Sequence, residues 1–435
     1  MKYNKKIVYV GLSADILHEG HINILKTAYQ HGEVTVGLLT DQAIASYKKI
    51  PHLSFKQREI VLKNMKYVKR VIPQNTLDYR PNLNLLKPNF VIHGDDWKTG
   101  IQRYTRMQVI KTLKKWKGKL IEPKYTKNIS STEIRDQIYQ VYKNKNNRTS
   151  FLKRLIKIKN IVRIVETHSP LASILAEKKK IITKNGIKEF DGFWSSSLTD
   201  SLLKGKPDNQ ALELTKRIAG IDDIMDVTSK PLIIDADNGG RVEHISYLVK
   251  TLERIGVSAM IIEDKKGLKR NSLFGNQSGV QQEYIKDFCK KIKEIKKSRI
   301  SKDFLIIARI ESLILNRGLN DAVKRANSYS KAGADLIMIH SKQKKPTEIF
   351  KFAKKFEKSR YAIPLVSVPT SYSKTYEKDL IKNGFKIVIY ANHLLRASYY
   401  SMNKTLDSIL KHERSFECEK NIEKVSKLLE YSEIK

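Results

Sequence analysis

The segment Glu263-Asp264-Lys265-Lys266-Gly267-Leu268-Lys269-Arg270-Asn271-Ser272 packs two carboxylates, three lysines, an arginine and two small polar side chains into ten residues, directly after the apolar run 259–262. A loop of this composition can hold a metal ion through its carboxylates and an anion through its cations. The competing reading is a solvated surface turn, which a charge run alone does not exclude. Other apolar, strand-like runs weigh against that reading, because they end in groups of the same kind: Ser195-Ser196-Ser197, Asp235-Ala236-Asp237, Arg309 with Glu311, and His340. Carboxylates from successive strands, Asp235, Asp237 and Glu263, can converge on one hard divalent cation, with water completing the shell as magnesium prefers. Arg309 and His340 would face that cation and clamp a phosphoryl or carboxylate group. Together these residues describe a site for a small, doubly anionic substrate.

A second set lies upstream. Gly11-Leu12-Ser13-Ala14-Asp15-Ile16-Leu17-His18-Glu19-Gly20-His21 puts two imidazoles, three residues apart, around a glycine at a helix start. Helix amino termini offer free N–H groups and a positive dipole end to phosphate, and histidines there can hydrogen-bond phosphoryl oxygens as charge develops. Further strand ends add His93-Gly94-Asp95-Asp96-Trp97 and Asn128-Ile129-Ser130-Ser131-Thr132-Glu133-Ile134-Arg135, where hydroxyls cap a helix.

These groups need elements to hold them. Strand-like runs at 161–167, 191–196, 232–237, 259–264, 304–310, 336–341, 364–368 and 387–391 alternate with amphipathic helices such as 243–255, 281–297 and 319–332. Eight such repeats predict a (β/α)8 barrel with ligands at the carboxyl ends of its strands. Before it, strands at 7–11, 33–39, 71–73, 90–94 and 120–122 alternate with helices at 20–29, 55–65 and 105–116, which predicts a parallel α/β sheet. A polar, asparagine-rich stretch at 141–150 turns into a basic amphipathic helix, expected to cap the barrel rather than to anchor in a membrane. It sets the domain boundary near 147, giving domains 1–146 and 147–435.

At 435 residues the chain is long enough for two or three cores, and no apolar run approaches the roughly 18 residues of a membrane span. The apolar segment after the basic start is short and runs into polar residues, so no signal peptide is expected. Two cysteines without ligand spacing, Cys289 and Cys418, fit a cytoplasmic protein without disulfides. The formal net charge of +38 attracts anions of every kind. The lysines are spread over almost every helix without a nucleic-acid-binding motif, which predicts neither a nucleic-acid nor a membrane partner. A basic nucleic-acid-associated protein stays open as the reading from another class.

His18-x-Gly20-His21, Gly94-Asp95-Asp96-Trp97 and Ile129-Ser130-Ser131-Thr132, in this order, resemble the glycerol-3-phosphate and choline-phosphate cytidylyltransferases over about residues 5 to 140. The resemblance implies a Rossmann-like nucleotidyltransferase fold in which His18 and His21 bind the phosphates of CTP, with Asp15 and Lys49 supporting the substrates. Asp95 and Trp97 would lie near the nucleotide, and Ser131 and Thr132 would cradle its outer phosphates. The chain departs from the family at Ser13-Ala14, where Thr-Phe is usual, and at Tyr125-Thr126-Lys127-Asn128, where Arg-Thr-Glu-Gly is usual.

Glu263-Asp264-Lys265, five residues, then Asn271-Ser272 resembles the signature of phosphoenolpyruvate mutase in the isocitrate lyase superfamily, over roughly residues 160 to 430. Lyases of that fold carry a cysteine in this loop, which here holds Gly267 and Leu268 instead. The resemblance implies Mg2+ on Asp235, Asp237 and Glu263, with Asp208 as a further acidic residue at the metal. Arg309 and His340 would bind the phosphoryl region, Ser196 with Ser197 and Leu198 the bound anion, and Lys269, Asn271 and Ser272 would belong to a gating loop spanning 265–276. Ser197 stands where glycine is common; a positive φ there would cost ~1 kcal/mol. Asn238 stands where threonine is common.

The implied reaction interconverts phosphoenolpyruvate and phosphonopyruvate, with phosphonopyruvate hydrolysis as the alternative. A cytidylyltransferase joined to a mutase is similar to the bifunctional enzyme of the fosfomycin pathway. The pairing implies CTP-dependent activation of a phosphonate such as 2-hydroxyethylphosphonate or 2-aminoethylphosphonate. Related barrels imply a homo-oligomer, dimer or tetramer, with 401–431 supplying an exchanged terminal helix.

Overall fold

The computed structural model describes residues 6–47, 50–99, 102–124, 145–183, 186–267, 269–272, 277 and 279–432. They form two compact units, 1–162 with 179–190, and 163–178 with 191–435.

In the first unit five strands, β1 (Ile7–Leu12), β2 (Glu33–Leu39), β3 (Arg70–Gln74), β4 (Phe90–Ile92) and β5 (Lys119–Ile121), make one sheet in the order β3-β2-β1-β4-β5. All pairings are parallel. The central strands are nearly continuous apolar runs because both faces are covered, and Val8, Val10, Val36 and Leu38 are fully buried. Gly11 and Gly37 face each other in register on β1 and β2. A Cβ at Gly11 would run into the Tyr79 ring, and one at Gly37 into the Tyr9 hydroxyl. Strand order reverses between β1 and β4, the position where open α/β sheets bind ligands. The loops leaving those two strands carry His18 to His21 and Asp95 to Trp97.

The helix Lys145–Ile158, expected as a cap on the barrel, falls instead within the first unit. It buries Leu152 and Leu155, and Arg154 donates to the carbonyl of Pro51.

The second unit holds a closed barrel of eight parallel strands: Val162–Glu166, Gly192–Ser195, Leu232–Asp235, Ala259–Glu263, Leu305–Ile310, Leu336–Ile339, Leu365–Ser367 and Phe385–Tyr390. Every strand read from the sequence is present in its place. Helices between them are anchored by single stripes. In Val242–Ile255, Ile245, Val249, Leu252 and Ile255 are buried at helical spacing, and Gly256 ends the helix with a φ of 88°. The loop after the fourth strand is pinned at its base by an antiparallel ribbon, Lys265 opposite Gln282 and Lys266 opposite Gln281. The expected terminal helix at 401–431 is three helices, His393–His412, Phe416–Glu419 and Val425–Ser432; the first ends where Glu413 turns left-handed. No described helix is long and apolar enough to cross a membrane.

Candidate active sites

At the first site, His18 stands at the amino-terminal cap of the helix Glu19–His31. Its Nδ1 accepts from the Gly20 amide at 3.2 Å, and His21 Nδ1 accepts from the His18 amide at 3.4 Å. A neutral imidazole that accepts at Nδ1 carries its proton on Nε2. Both rings, 4.0 Å apart, are therefore set as Nε2–H donors at a helix end that favours phosphate. Burial lowers the pKa of His18, which keeps its ring neutral. Asp15 accepts from the Leu53 amide at 3.0 Å.

Arg58, which the sequence reading passed over, ties these loops together. Fully buried, its guanidinium donates to the carbonyls of Ser13, Leu39 and Leu53 and to the Asp41 carboxylate. Asp95 lies 3.8 Å from Lys98 Nζ. Trp97, expected against the nucleotide, is a core residue: it is buried, stacked on His93 at 3.9 Å, and donates its indole N–H to Glu122. Lys49, Ser131 and Thr132 lie outside the described residues.

The second site is a cavity at the carboxyl ends of the barrel strands. Of the residues singled out in the sequence, Ser196, Ser197, Leu198, Asp208, Asp235, Lys269, Asn271, Ser272, Arg309 and His340 all line it. Trp194, Met338, Thr370 and Asn392 complete much of the wall. Thr370 and Asn392 follow the seventh and eighth strands, so the strand-end rule that found His340 would have found them too.

Register places Glu263 directly beside Arg309. The guanidinium donates to Glu311 at 2.6 Å and to Ser272 Oγ at 2.7 Å, and lies 3.4 Å from Glu263. Lys265, also buried, pairs with Glu311 at 3.1 Å and donates to Ser272 at 2.6 Å. One buried carboxylate, Glu311, thus holds two cations and the loop hydroxyl.

Ser197 has no positive φ. It opens the helix Ser197–Leu202, and its hydroxyl donates to Asp235 at 3.1 Å. The chain reverses after the third strand through Asp237, φ 52°, whose amide bonds back to Asp235 Oδ1 at 3.0 Å. Asn238 reaches across to the Gly267 carbonyl at 3.1 Å. Arg217, another residue missed from the sequence, backs the group by donating to Asp200 and to the Asp235 carbonyl.

Asp237 and Glu263 do not line the cavity themselves; they join it through cations. Lys269 Nζ sits 2.6 Å from Asp237, 3.2 Å from Asp235 and 3.6 Å from Asp208. Among the described residues no three acidic, histidine or cysteine groups are gathered as a metal cage, and this ammonium stands between the carboxylates instead. The donor set fits a hard cation nonetheless. It consists of carboxylate oxygens, and both buried oxygens of Glu263 lack a hydrogen bond.

Burial pushes the Glu263 carboxyl up to about 7, against the pull of Arg309 and Lys269. Burial acts in the same sense on Asp235, but Lys269, Arg309 and Arg217 outweigh it and hold its pKa below the usual carboxylate range. For Lys269, burial disfavours the ammonium, and Asp235, Asp237, Glu263 and Asp208 more than restore it. Burial, then Arg309, lowers His340 to about 4, so the ring that faces the cavity is neutral.

The profile of the phosphoenolpyruvate phosphomutase family matches residues 152–410. The chain belongs to this family. A cytidylyltransferase-like profile matches residues 9–137. Among family members, a phosphoenolpyruvate phosphomutase of Tetrahymena pyriformis is 34% identical over 284 residues, covering 65% of this chain and 90% of its own. The crystal structure of a phosphoenolpyruvate phosphomutase from Streptomyces platensis subsp. rosaceus superposes with a TM-score of 0.60 at 32% identity, over 65% of this chain and 94% of that one. Phosphonopyruvate hydrolase in complex with oxalate and Mg2+ superposes with a TM-score of 0.56 at 31% identity, over 66% of this chain and 94% of the other. This member of the phosphomutase family is thus an enzyme that pairs the family's barrel with a second, nucleotidyltransferase-like unit.

Proposed function

We propose that the barrel interconverts phosphoenolpyruvate and phosphonopyruvate, breaking the O–P bond of one and forming the C–P bond of the other within one closed cavity. The observation that carries this reading is the meeting of Asn271 and Ser272 with Asp208 and Arg309 over the carboxylate group. Asp208, Asp235, Asp237 and Glu263 would hold Mg2+, directly or through water. When bound, Mg2+ supplies positive charge to the oxygens of the substrate anion. Arg309 orients the phosphoryl oxygens, His340 offers a neutral imidazole beside them, and Ser196 and the start of the helix Ser197–Leu202 take the carboxylate end. Phosphoryl transfer asks mainly for positioning and charge stabilisation, which such a set supplies. The gate read at 265–276 lies partly outside the described residues, at 268 and 273–276; closure of 269–272 over the cavity excludes the water that would otherwise take the phosphoryl group.

Hydrolysis of phosphonopyruvate is the second reading, favoured by the likeness to phosphonopyruvate hydrolase at 31% identity. Phosphorus NMR of phosphonopyruvate turnover tests both: phosphoenolpyruvate as product supports the mutase, free phosphate the hydrolase.

The first unit, in this proposal, uses His18 and His21 to transfer CMP from CTP to a phosphonate such as 2-hydroxyethylphosphonate or 2-aminoethylphosphonate, releasing pyrophosphate. Absence of pyrophosphate release across a panel of phosphonates and phospho-alcohols would overturn that part. The protein acts in the cytoplasm as a dimer or tetramer. The helix His393–His412 buries none of its residues and exposes Tyr399, Leu406 and Leu410, which gives a second copy an apolar face. Sedimentation tests the assembly.

A further inference from the structure

Lys269 does not point at the substrate cavity as a free cation. Its ammonium contacts Asp237, Asp235 and Asp208, with Ser197 Oγ as a fourth partner, and its side chain is 4% exposed. Asp208 and Asp235 are as deeply buried, so this one charge neutralises much of their mutual repulsion. The other oxygen of each carboxylate is already engaged, Asp235 Oδ1 by the Asp237 amide, Asp208 Oδ2 by Asn271 and Asp237 Oδ2 by Arg217, so a divalent cation competes with the ammonium for the oxygens that remain.

We propose that Lys269 is a tethered counter-ion that holds the carboxylate group together in the metal-free enzyme and must leave when a divalent cation arrives. The inference rests on the magnesium reading of this site. Lys269 lies two residues from Asn271, which donates to Asp208, and three from Ser272, which donates to Glu311. Departure of the ammonium therefore disturbs the same segment that closes the cavity, and couples cation binding to the position of 269–272. Cation and lysine compete for one place, so the metal-free enzyme keeps its carboxylates in order at the expense of affinity for the metal.

The test uses the full chain, wild type and Lys269→Met, with Mg2+ followed by calorimetry and Mn2+ by electron paramagnetic resonance, in the absence of substrate. Removing the competitor tightens the Kd for both ions at least tenfold in Lys269→Met. It also lowers the metal-free Tm and enlarges the Tm gain on adding Mg2+. An unchanged or weaker Kd in Lys269→Met overturns the proposal and leaves the magnesium reading standing. Failure of both proteins to bind either ion overturns the magnesium reading and the proposal with it. Limited trypsinolysis of the wild-type protein gives a check independent of the variant's folding. Cleavage after Lys269 and Arg270 accelerates on adding Mg2+ relative to other sites, and an unchanged rate there overturns the displacement.

Discussion

Asn271 donates its side-chain amide to Asp208 Oδ2 at 2.7 Å, joining the loop after the fourth barrel strand to the segment between the helices Ser197–Leu202 and Leu214–Val227. Both residues line the cavity and neither lies in a barrel strand, so the contact joins two segments of the site without supporting the barrel. Asn271→Ala is therefore expected to lower mutase turnover ten- to a hundredfold, about the value of one hydrogen bond to a charged group. The Tm should stay within a few degrees of wild type. Phosphorus NMR of phosphoenolpyruvate formation, with a melting curve on the same sample, checks both halves.

Glu311 predicts the opposite pattern. It is fully buried and neutralises Arg309 and Lys265 at once. Burial alone would raise its carboxyl, but Arg309 and Lys265, with the hydroxyl of Ser272, together outweigh it and hold the group below the usual carboxylate range, so it is ionised at neutral pH. Glu311→Ala leaves buried cations without their partner, and should destabilise the protein by ~3–5 kcal/mol. Glu311→Gln keeps an acceptor for Ser272 and should cost less. Urea denaturation of the two variants orders them; equal midpoints would count against a charge role for this residue.

Much of this was legible in the chain. Strands buried on both faces must be apolar and must stop where the chain reaches water, so eight apolar runs with polar ends marked both the barrel and its mouth. Asp235, Arg309 and His340 were singled out that way, and Asp208, Lys269 and Asn271 through their resemblance to the family's signature; all six line one cavity. Glu311 stood in plain view after Arg309, but sequence does not say which of two neighbouring charges faces the cavity and which braces it from beneath. Trp97 failed for a related reason: a tryptophan at a strand end looks the same whether it meets a ligand or, as here, stacks on His93 in the core. Lys269 between three carboxylates depends on side chains from distant segments, which no local pattern encodes.

Glu166 makes the barrel's stability depend on pH. Burial raises its carboxyl from 4.5 to about 7, although Thr199 and the Asn392 amide, both donating to it, pull the other way. A carboxyl with a raised folded-state pKa holds its proton more tightly folded than unfolded. Its contribution is complete below about 4.5 and is lost as pH rises through about 7, to the extent of about 3 kcal/mol at most. Glu166→Gln removes this dependence. The difference in Tm between wild type and Glu166→Gln, followed by calorimetry from pH 4.5 to 8, should therefore change in this interval and level off above it.

His18 both caps a helix and, in the proposed function, donates to phosphate, so an alanine there would confound the two roles. Losing the cap alone costs about 1 kcal/mol of helix stability. Asparagine is among the best caps and can accept from the Gly20 amide as His18 Nδ1 does, yet it places no Nε2–H toward a phosphate. His18→Asn should thus keep the wild-type melting behaviour while lowering CTP-dependent pyrophosphate release by ~10²–10³-fold, the usual effect of removing one charge-stabilising donor. Mutase turnover should be untouched, because the barrel forms a compact unit with its own cavity. Pyrophosphate release at the wild-type rate in His18→Asn would reduce the histidine to a cap, and the helix start to a structural feature without chemistry.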